Sequence, residues 1–303
     1  MDHLTDWSTP SFELPPVAPL TGPFPCRSFL ETWWDHRAQP GDRLLLCGNA
    51  EGLIPLIDRG DLVEFVGEPD LTDYHSPLGE GTGVLIGEIR SHLPGAQPFR
   101  FDSLPEEAAA DLAAALASSG VEAEAVPHES AAVLQLPTSF DDWLLSIGKK
   151  ERHEVRRKRR KCEAELGPLE VRRGRDQAAL HVFFRMHRMA GGRKGSFMTD
   201  DLERFFADLV ARSGAVVDTL TAGGRPIAAV FGWETGDAYY LYNSAYDDDV
   251  GGTSPGAVLV SMLIERQIER GASKVDFLKG DETYKYRLGA TARPLYQLVG
   301  LFS

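Results

Sequence analysis

The chain has 303 residues, of which 43% are hydrophobic, and its formal net charge is −13. This length favours two domains, and so acidic a balance argues against a general nucleic-acid-binding protein, because neutralising phosphates requires a positive surface. The three cysteines show no C-x-x-C spacing and the eight histidines no H-x-x-x-H pair, so we expect no disulfide framework and no metal site.

The first 25 residues are acidic and contain six prolines, which predicts an irregular lead-in to the first domain. This segment lacks the apolar run of a secretory signal. No stretch of the chain reaches the roughly 20 apolar residues that a membrane span needs. We therefore expect a cytoplasmic protein that associates with a membrane, if at all, only at the membrane surface.

Residues 26–137 have the pattern of a small α/β domain. A tryptophan-rich helix is followed by three short apolar strands separated by turn sequences, and later by an alanine-rich helix with glutamates in its first turn. Pro137 marks the predicted end of this domain. The predicted elements are a helix at 27–37, strands at 43–47, 52–57, 62–66 and 99–101, a helix at 105–118, and strands at 121–126 and 132–136.

Residues 138–303 repeat the pattern of three consecutive strands followed by a helix and a further strand. Capping-box spacing predicts a helix at 138–145, and the basic segment 149–166 predicts a long helix that ends at Gly167 and Pro168. The remaining predicted elements are a strand at 169–172, helices at 176–189 and 199–212, strands at 216–220, 226–233 and 238–246, a helix from 255, a strand at 274–278, an irregular segment at 281–290 and a strand at 295–302.

The second domain is organised around the strand at 238–246 and the helix that follows it. Between them lies an acidic, glycine-bearing loop, DDDVGGTSPG. Ser254 is predicted to cap the helix, Pro255 suits its first position, and Gly256 permits close approach of a ligand. Free N–H groups and the helix dipole at such a start favour a phosphate or pyrophosphate. The alternative interpretation is an ordinary capped helix, and three consecutive aspartates oppose an anionic ligand.

This order of elements resembles a GNAT (Gcn5-related) acyltransferase domain. More narrowly, KKERHEVRRKRRKCEAELG, TSPGAVLVSMLIERQIERG and VDFLKGDETYKYRLGA resemble the CelD-type acetyltransferases, distant relatives of the FemABX aminoacyltransferases. The resemblance implies an α/β fold of two tandem GNAT-like domains with mostly antiparallel sheets, the first degenerate and the second catalytic. It implies acyl transfer from acetyl-coenzyme A or another acyl-coenzyme A to an amine held between the two halves.

Within the second domain the resemblance assigns a donor-binding set and a strand beside the thioester. Tyr242 and Asn243 are the predicted pocket residues of that strand, although four tyrosines on one strand are also typical of simple packing. The backbone of this strand would stabilise the oxyanion. The predicted donor-binding residues are Asn243, Gly251, Gly252, Thr253, Ser254, Gly256, Lys285 and Arg287.

The segment VDFLKGDETYKYRLG concentrates ionisable residues at the end of a buried strand. An amine acceptor must lose a proton, and the leaving thiolate must gain one. Asp281 or Glu282 is the predicted base and Tyr284 the predicted acid, with Asp276 at the strand end. Lys279, like Lys285 and Arg287, suits a phosphate or an acceptor carboxylate. The alternative is a polar loop without chemistry.

Nine lysines and arginines crowd residues 149–161 of this otherwise acidic chain. Lys149, Arg152 and Arg156 correspond to basic positions of the family and are predicted to bind substrate. A solvated helix, a phosphate site, an anionic lipid surface and tRNA remain alternatives. In the first half, Asp73 and Tyr74 are predicted to line a cleft between the domains.

The sequence thus predicts an N-acyltransferase without a metal ion, acting on a small-molecule amine or on a precursor of the cell envelope or a polysaccharide. A FemABX-like transferase that takes its group from aminoacyl-tRNA is the first alternative. The second alternative is a non-catalytic protein that binds an anionic saccharide or lipid precursor.

Overall fold

The computed structural model describes residues 4–302, so residues 1–3 of the predicted lead-in and Ser303 lie outside the described part. The chain forms two compact units. The first contains the residues up to 131 and those from 293 onward, and the second contains residues 132–292. The last strand of the chain therefore belongs to the first unit.

The first unit contains a group of mostly antiparallel strands with helices packed on it. In this unit β2 pairs with β3 and β3 with β4, all antiparallel, whereas β4 and β6 are parallel and β6 pairs antiparallel with β13. Its elements are β1 (Leu4–Thr5), a 3-10 helix (Pro10–Glu13), α1 (Arg27–Arg37), β2 (Arg43–Gly48), β3 (Gly52–Asp58), β4 (Val63–Phe65), β5 (Leu78–Gly79), α2 (Thr82–His92), β6 (Gln97–Pro105), α3 (Glu106–Ser118), the start of β7 (Ala123–Gln135) and most of β13 (Thr291–Phe302).

The core of the first unit lies between its sheet and the helices α2 and α3. Apolar residues from both layers are fully buried, among them Leu56, Ile86 and Leu112. The rings of Phe99 and Phe302 pack with centroids 4.7 Å apart, so β13 is part of this core. Burying apolar side chains of this size contributes about 1.5–3 kcal/mol each.

The second unit repeats this arrangement with longer strands. Strands β8 to β11 are consecutive and antiparallel, and β12 then pairs parallel with β11. Besides the end of β7, its elements are α4 (Phe140–Ser146), α5 (Lys149–Leu166), β8 (Leu169–Gly174), α6 (Gln177–Met189), α7 (Arg193–Phe197), α8 (Asp200–Ser213), β9 (Val216–Ala222), β10 (Arg225–Thr235), β11 (Ala238–Tyr246), a 3-10 helix (Asp248–Thr253), α9 (Pro255–Glu269), β12 (Lys274–Lys279) and α10 (Thr283–Arg287).

The two units share one pattern of strand order and strand pairing. In each, three antiparallel strands lead into a helix, α2 or α9, and the next strand pairs parallel with the third strand of the meander. The sequence pairs Ser76-Pro77 and Ser254-Pro255 mark similar points, but α2 begins only at Thr82 whereas α9 begins at Pro255. The predicted fold class, an α/β protein with mostly antiparallel sheets flanked by helices, is confirmed.

Side-chain caps explain the starts of three helices, α4, α6 and α8. The side chains of Ser139, Asp176 and Thr199 accept hydrogen bonds from backbone N–H groups in the first turns of α4, α6 and α8. Such caps satisfy donors that the helix itself leaves without partners. The capping-box spacing before α4 therefore predicted the correct element, with bounds shifted by one or two residues.

Two expectations about elements were wrong. The strands predicted at 121–126 and 132–136 form one continuous strand, β7, although Pro127 lies within it. The segment 281–290, predicted to be irregular, contains the short helix α10. Its five residues, TYKYR, are too few to show helical periodicity of apolar residues.

None of the helices within residues 4–302 has both the length and the apolar character needed to cross a membrane.

Candidate active site

Strand β11 carries a β-bulge at Tyr242, which determines which of its side chains reach the candidate site. Phe231 pairs with Asn243 and the next residue of β10, Gly232, pairs with Leu241, so Tyr242 is the extra residue. A bulge reverses the alternation of side chains beyond it. Before the bulge, Leu241 packs in the apolar core with α9; after it, Ser244 and Tyr246 line a cleft.

Helix α9 follows β11 after the short 3-10 helix, and its first turn borders the same cleft. Val258 N is the first to bond within the helix, donating to Ser254 O at 3.2 Å. Because the first N–H groups of an α-helix lack intrahelical acceptors and Pro255 has none, the donors of this turn are those of Gly256 and Ala257. Both residues line the cleft. This start can therefore accept an anion.

Ser254 does not cap the helix through its side chain, contrary to the sequence prediction. Its backbone is left-handed, with φ 57° and ψ 49°, and its hydroxyl makes no capping hydrogen bond. Capping residues normally have an extended backbone. The left-handed backbone of Ser254 therefore explains why its side chain does not cap the helix. A left-handed conformation costs a non-glycine residue about 1–3 kcal/mol and is often retained at functional sites.

The acidic loop before α9 does not oppose an anion as strongly as its sequence suggests. Asp247 is buried, accepts a hydrogen bond from Asp249 N at 3.1 Å, and is paired with Arg225. Asp249 also lies 3.8 Å from Arg225. Two of the three aspartates are thus directed toward one arginine, which offsets part of their charge.

Of the five residues from Gly251 to Gly256 predicted to bind the donor, only Gly256 lines the cleft. Thr253 is buried and its hydroxyl donates to Val250 O at 2.8 Å, while Ser254 N donates to Gly251 O at 2.9 Å. Gly252 offers its carbonyl to Lys161 Nζ at 2.7 Å. Gly251, Gly252, Thr253 and Ser254 therefore build the loop that precedes α9.

Helix α5 forms the opposite wall of the cleft. Its C-terminal half is fixed to the loop before α9 by the Lys161–Gly252 contact, and to the C-terminal half of α9 by an ion pair of 2.6 Å between Arg159 and Glu265. The N-terminal end of α5 follows α4. Helix α4 is attached to the end of α10, because Trp143 Nε1 donates a hydrogen bond to Leu288 O at 3.0 Å. The cleft therefore runs along α5, from the start of α9 to α10.

The cleft has a volume of about 500 Å³ and lies entirely within the second unit. This volume is within the range of small-molecule sites. Its lining combines apolar, cationic and anionic side chains. It is lined by Lys150, Glu151, Glu154, Val155, Lys158, Ser244, Tyr246, Gly256, Ala257, Val260, Tyr284, Arg287 and Leu288.

Tyr284 is the predicted proton donor, and it lines the cleft from α10. Its ring packs edge-on against Phe277 at 6.2 Å, and the side chain is 41% exposed. Partial burial, together with the nearby carboxylate of Glu282, raises the pKa of Tyr284 to about 12. The phenol therefore keeps its proton at neutral pH and can donate it.

We expect Tyr284 to remain protonated where ordinary tyrosines ionise. At pH 10.5 a tyrosine with the usual pKa near 10 is mostly phenolate, whereas one with a pKa near 12 is only about 3% ionised. Phenolate absorbance of the wild type and of Tyr284→Phe should therefore be equal at this pH. A larger phenolate signal in the wild type would show that Tyr284 has an ordinary pKa. Glu282→Gln should lower the pKa of Tyr284.

Other predicted residues of this segment lie outside the cleft lining. The buried Asp276 accepts a hydrogen bond from Leu278 N at 2.8 Å and thereby supports the left-handed turn at Leu278. Lys279 is half-buried. Asp281 and Glu282 are exposed, and Glu282 forms an ion pair of 2.8 Å with Lys285.

Lys285, predicted to bind the donor, is instead part of the protein interior. Its side chain is 4% exposed, and its ammonium donates to the carbonyls of Lys279 and Gly280 at 2.7 and 3.2 Å. A buried ammonium is retained only with such partners. Lys285 therefore holds the end of β12 against α10. Arg287, by contrast, lines the cleft.

Tyr242 and Asn243, the predicted pocket residues of β11, lie on the side of the sheet that carries α6 and α8. The ring of Tyr242 stacks on Phe206 at 5.6 Å, and Asn243 Oδ1 lies 3.1 Å from His187 Nε2. The bulge explains the error, because period-two alternation would have placed Tyr242 with Ser244 and Tyr246.

The basic residues predicted on α5 to bind substrate do not line this cleft. Arg152 donates to Leu144 O at 3.2 Å, and Arg156 lies 3.7 Å from Asp141, so both are directed toward α4. Lys149 is exposed and does not line the cleft. The α5 residues that line the cleft are Lys150, Glu151, Glu154, Val155 and Lys158. Their recurrence three or four residues apart is the signal in the sequence that could have found them.

The two residues of the first half that were predicted to line a cleft, Asp73 and Tyr74, do not line the cleft described above. Tyr74 is fully buried, packs against Phe24 at 6.0 Å and lies under the guanidinium of Arg293. Asp73 beside it is half-buried. Tyr74 is thus a core residue of the first unit.

Comparison with known proteins gives a family match in the second unit. Residues 149–286, slightly less than half of the chain, match the family of acetyltransferase (GNAT) domains. This range includes every lining residue of the cleft except Arg287 and Leu288. The match supports acyl transfer as the class of reaction. A search of curated proteins gives no match.

Solved structures show the fold over almost the whole chain. FemX is 12% identical, with a TM-score of 0.64 over 94% of this chain and 93% of its own. L-PGS from Bacillus licheniformis is 14% identical, with a TM-score of 0.61 over 91% and 92%. A conserved protein of unknown function from Bacteroides thetaiotaomicron VPI-5482 is 13% identical, with a TM-score of 0.63 over 90% and 89%.

Proposed function

We propose that the cleft of the second unit binds an acyl-coenzyme A and transfers its acyl group to an amine. The observation that carries this proposal is the open start of α9, where the N–H groups of Gly256 and Ala257 line the cleft together with the ammonium of Lys158. Helix N-termini and cations are suited to a pyrophosphate, which is the charged centre of coenzyme A.

The reaction requires three proton movements. The acceptor ammonium first loses a proton to become a nucleophilic amine. The amine nitrogen forms a bond to the thioester carbon, and the nitrogen loses a second proton. The carbon–sulfur bond breaks, and the thiolate takes up one proton, so that an amide, a thiol and one net proton are produced. No metal ion or redox partner is needed for this balance.

Residues of the cleft have the chemistry for these steps. Tyr284, a phenol that lines the cleft and is protonated at neutral pH, can give its proton to the thiolate. Glu151 is the cleft carboxylate that is not held by an ion pair, since Glu154 is paired with Arg157 at 2.8 Å. We therefore assign the base to Glu151 rather than to Asp281 or Glu282, and the oxyanion to backbone N–H groups of β11.

Donor binding provides the first test. Acetyl-coenzyme A should raise the melting temperature saturably, and adenosine should not. Lys158→Met should weaken binding about ten-fold or more, as expected for a lost charge-assisted contact, whereas Lys158→Arg should retain most of the affinity. Release of coenzyme A thiol should depend on an added amine. The absence of any thermal shift with millimolar acetyl-coenzyme A would contradict the proposal.

A second candidate, transfer from aminoacyl-tRNA, is favoured by the outer face of α5. Arg156, Arg157 and Arg160 are exposed there, and the fold is shared with FemX over 94% of this chain. Binding to tRNA should then fall steeply with salt and be lost when Arg156 and Arg160 are changed to alanine. A protein that binds a donor but modifies no amine would instead indicate a non-catalytic role.

A further inference from the structure

The end of the cleft near α10 carries opposite charges that are not paired. Glu151 from α5 and Arg287 from α10 both line the cleft. Among residues 4–302, neither side chain takes part in an ion pair or hydrogen bond, nor does the neighbouring Lys150. Other charged side chains of α5 are paired, as Arg159 is with Glu265 and Arg157 with Glu154.

These charges lie at the end of the cleft away from the proposed pyrophosphate site. Lys150 and Glu151 are in the first turn of α5, near the contact between Trp143 and Leu288. Lys158 lies two turns later, or roughly 12 Å along the helix at 1.5 Å per residue. The Lys161–Gly252 contact places that part of α5 beside the start of α9. The two ends can thus bind two different molecules.

A ligand that carries both charges can satisfy both side chains at once. A guanidinium binds a carboxylate through two parallel hydrogen bonds, and a carboxylate binds an ammonium. Since Glu151 and Arg287 line the same cleft, an ammonium and a carboxylate of one small molecule can bind to the two side chains. The apolar side chains of Val155, Val260 and Leu288 line the same cleft.

We propose, on the basis of the transfer reaction proposed above, that the acceptor is an α-amino acid with an apolar side chain. Its amino group lies against Glu151, which also accepts the first proton, and its carboxylate is bound by Arg287 with Lys150 nearby. The apolar walls of the cleft contact its side chain. The product is an N-acyl amino acid, formed together with the thiol of coenzyme A.

A matched set of acceptors tests this assignment. Thiol release from acetyl-coenzyme A should be measured with each of the common L-amino acids, and with L-leucine compared directly with 3-methylbutylamine, which lacks the carboxylate. We expect at least one apolar amino acid to be acetylated with kcat/KM about ten-fold or more above that of its decarboxylated counterpart. Acetylation of amines with no preference for a carboxylate would overturn the inference.

Two variants locate the recognition. Arg287→Met should raise KM for the amino acid about ten-fold or more, and should affect KM for 3-methylbutylamine much less, because that amine has no carboxylate. Glu151→Gln should lower kcat for both acceptors, because both carry the amino group. Arg172→Met is a matched control, since Arg172 is exposed on β8 and does not line the cleft. An Arg287→Met enzyme with unchanged KM for the amino acid would overturn the assignment.

Failure of this inference can be distinguished from failure of the proposed function. If acetyl-coenzyme A stabilises the protein and amines are acetylated but no amino acid is, the transferase stands and the acceptor class is wrong. If acetyl-coenzyme A neither binds nor loses its acyl group, the proposed function itself fails. Circular dichroism of each variant checks that its fold is retained.

Discussion

The Gly256→Glu variant is expected to lose acetyl-coenzyme A binding while keeping its fold. A Cβ at position 256 would meet nothing nearer than Tyr246 Cδ1, at 3.5 Å, which is an ordinary contact. The added carboxylate would lie at the helix start beside the donors of Gly256 and Ala257. At about 4 Å from a phosphate oxygen, with an effective dielectric constant near 20, it would cost roughly 4 kcal/mol. Isothermal titration calorimetry with acetyl-coenzyme A measures the loss.

Gly256→Ala is the control for this variant. Alanine adds the Cβ without charge, and replacing a glycine within a helix by alanine typically stabilises a protein by about 0.4–1 kcal/mol. We therefore expect Gly256→Ala to bind acetyl-coenzyme A and to melt no lower than the wild type. Wild-type affinity in Gly256→Glu would show that the pyrophosphate does not bind at the start of α9.

The second large effect is expected from Asp218→Ala, through stability. The carboxylate of Asp218 is fully buried on β9, where it accepts hydrogen bonds from Arg173, Arg266 and Tyr239 at 2.8–3.0 Å. Burial and the charge of Asp218 raise the pKa of Tyr239 well above its usual value, so Tyr239 is a neutral donor. Breaking a buried ion pair by removing one partner typically costs about 3–5 kcal/mol. Urea denaturation at pH 7 measures this loss.

An exposed ion pair on the neighbouring strand provides the comparison. Glu170 and Arg172 on β8 are 2.7 Å apart, and both side chains are more than half exposed. Such pairs contribute about 0–1 kcal/mol, so Glu170→Ala should change the urea midpoint little. If Asp218→Ala were no more destabilising than Glu170→Ala, the buried network would not hold β8, β9 and α9 together.

The fold could be predicted from the sequence because its signals are local and redundant. Turn residues separated the strands, Ser139 and Thr199 marked helix starts, and the length of the basic segment matched α5 to the residue. Each of these signals depends on neighbours in the chain, and tertiary contacts did not override them. The single strand β7 was divided in the prediction because Pro127 is typical of a strand end.

The site was predicted less well, because it depends on contacts between distant segments. Gly256, Tyr284 and Arg287 were identified from the helix start and from the polar sequence after β12, and all three line the cleft. Because of the bulge at Tyr242, the residues of β11 that line the cleft are Ser244 and Tyr246 and not Tyr242 and Asn243. The burial of Lys285 depends on hydrogen bonds from its ammonium to the carbonyls of Lys279 and Gly280. No periodic pattern in the sequence predicts these contacts.

Biosynthesis imposes an order on this fold because β13 follows the whole second unit in the chain but belongs mostly to the first unit. Until residues 295–302 leave the ribosome, β6 lacks its antiparallel neighbour, and Phe99 lacks the ring of Phe302. A nascent first unit would therefore expose an apolar strand edge throughout translation of the second, a state prone to aggregation. Any shortened chain that ends before β13 retains the cleft residues but leaves that edge permanently open.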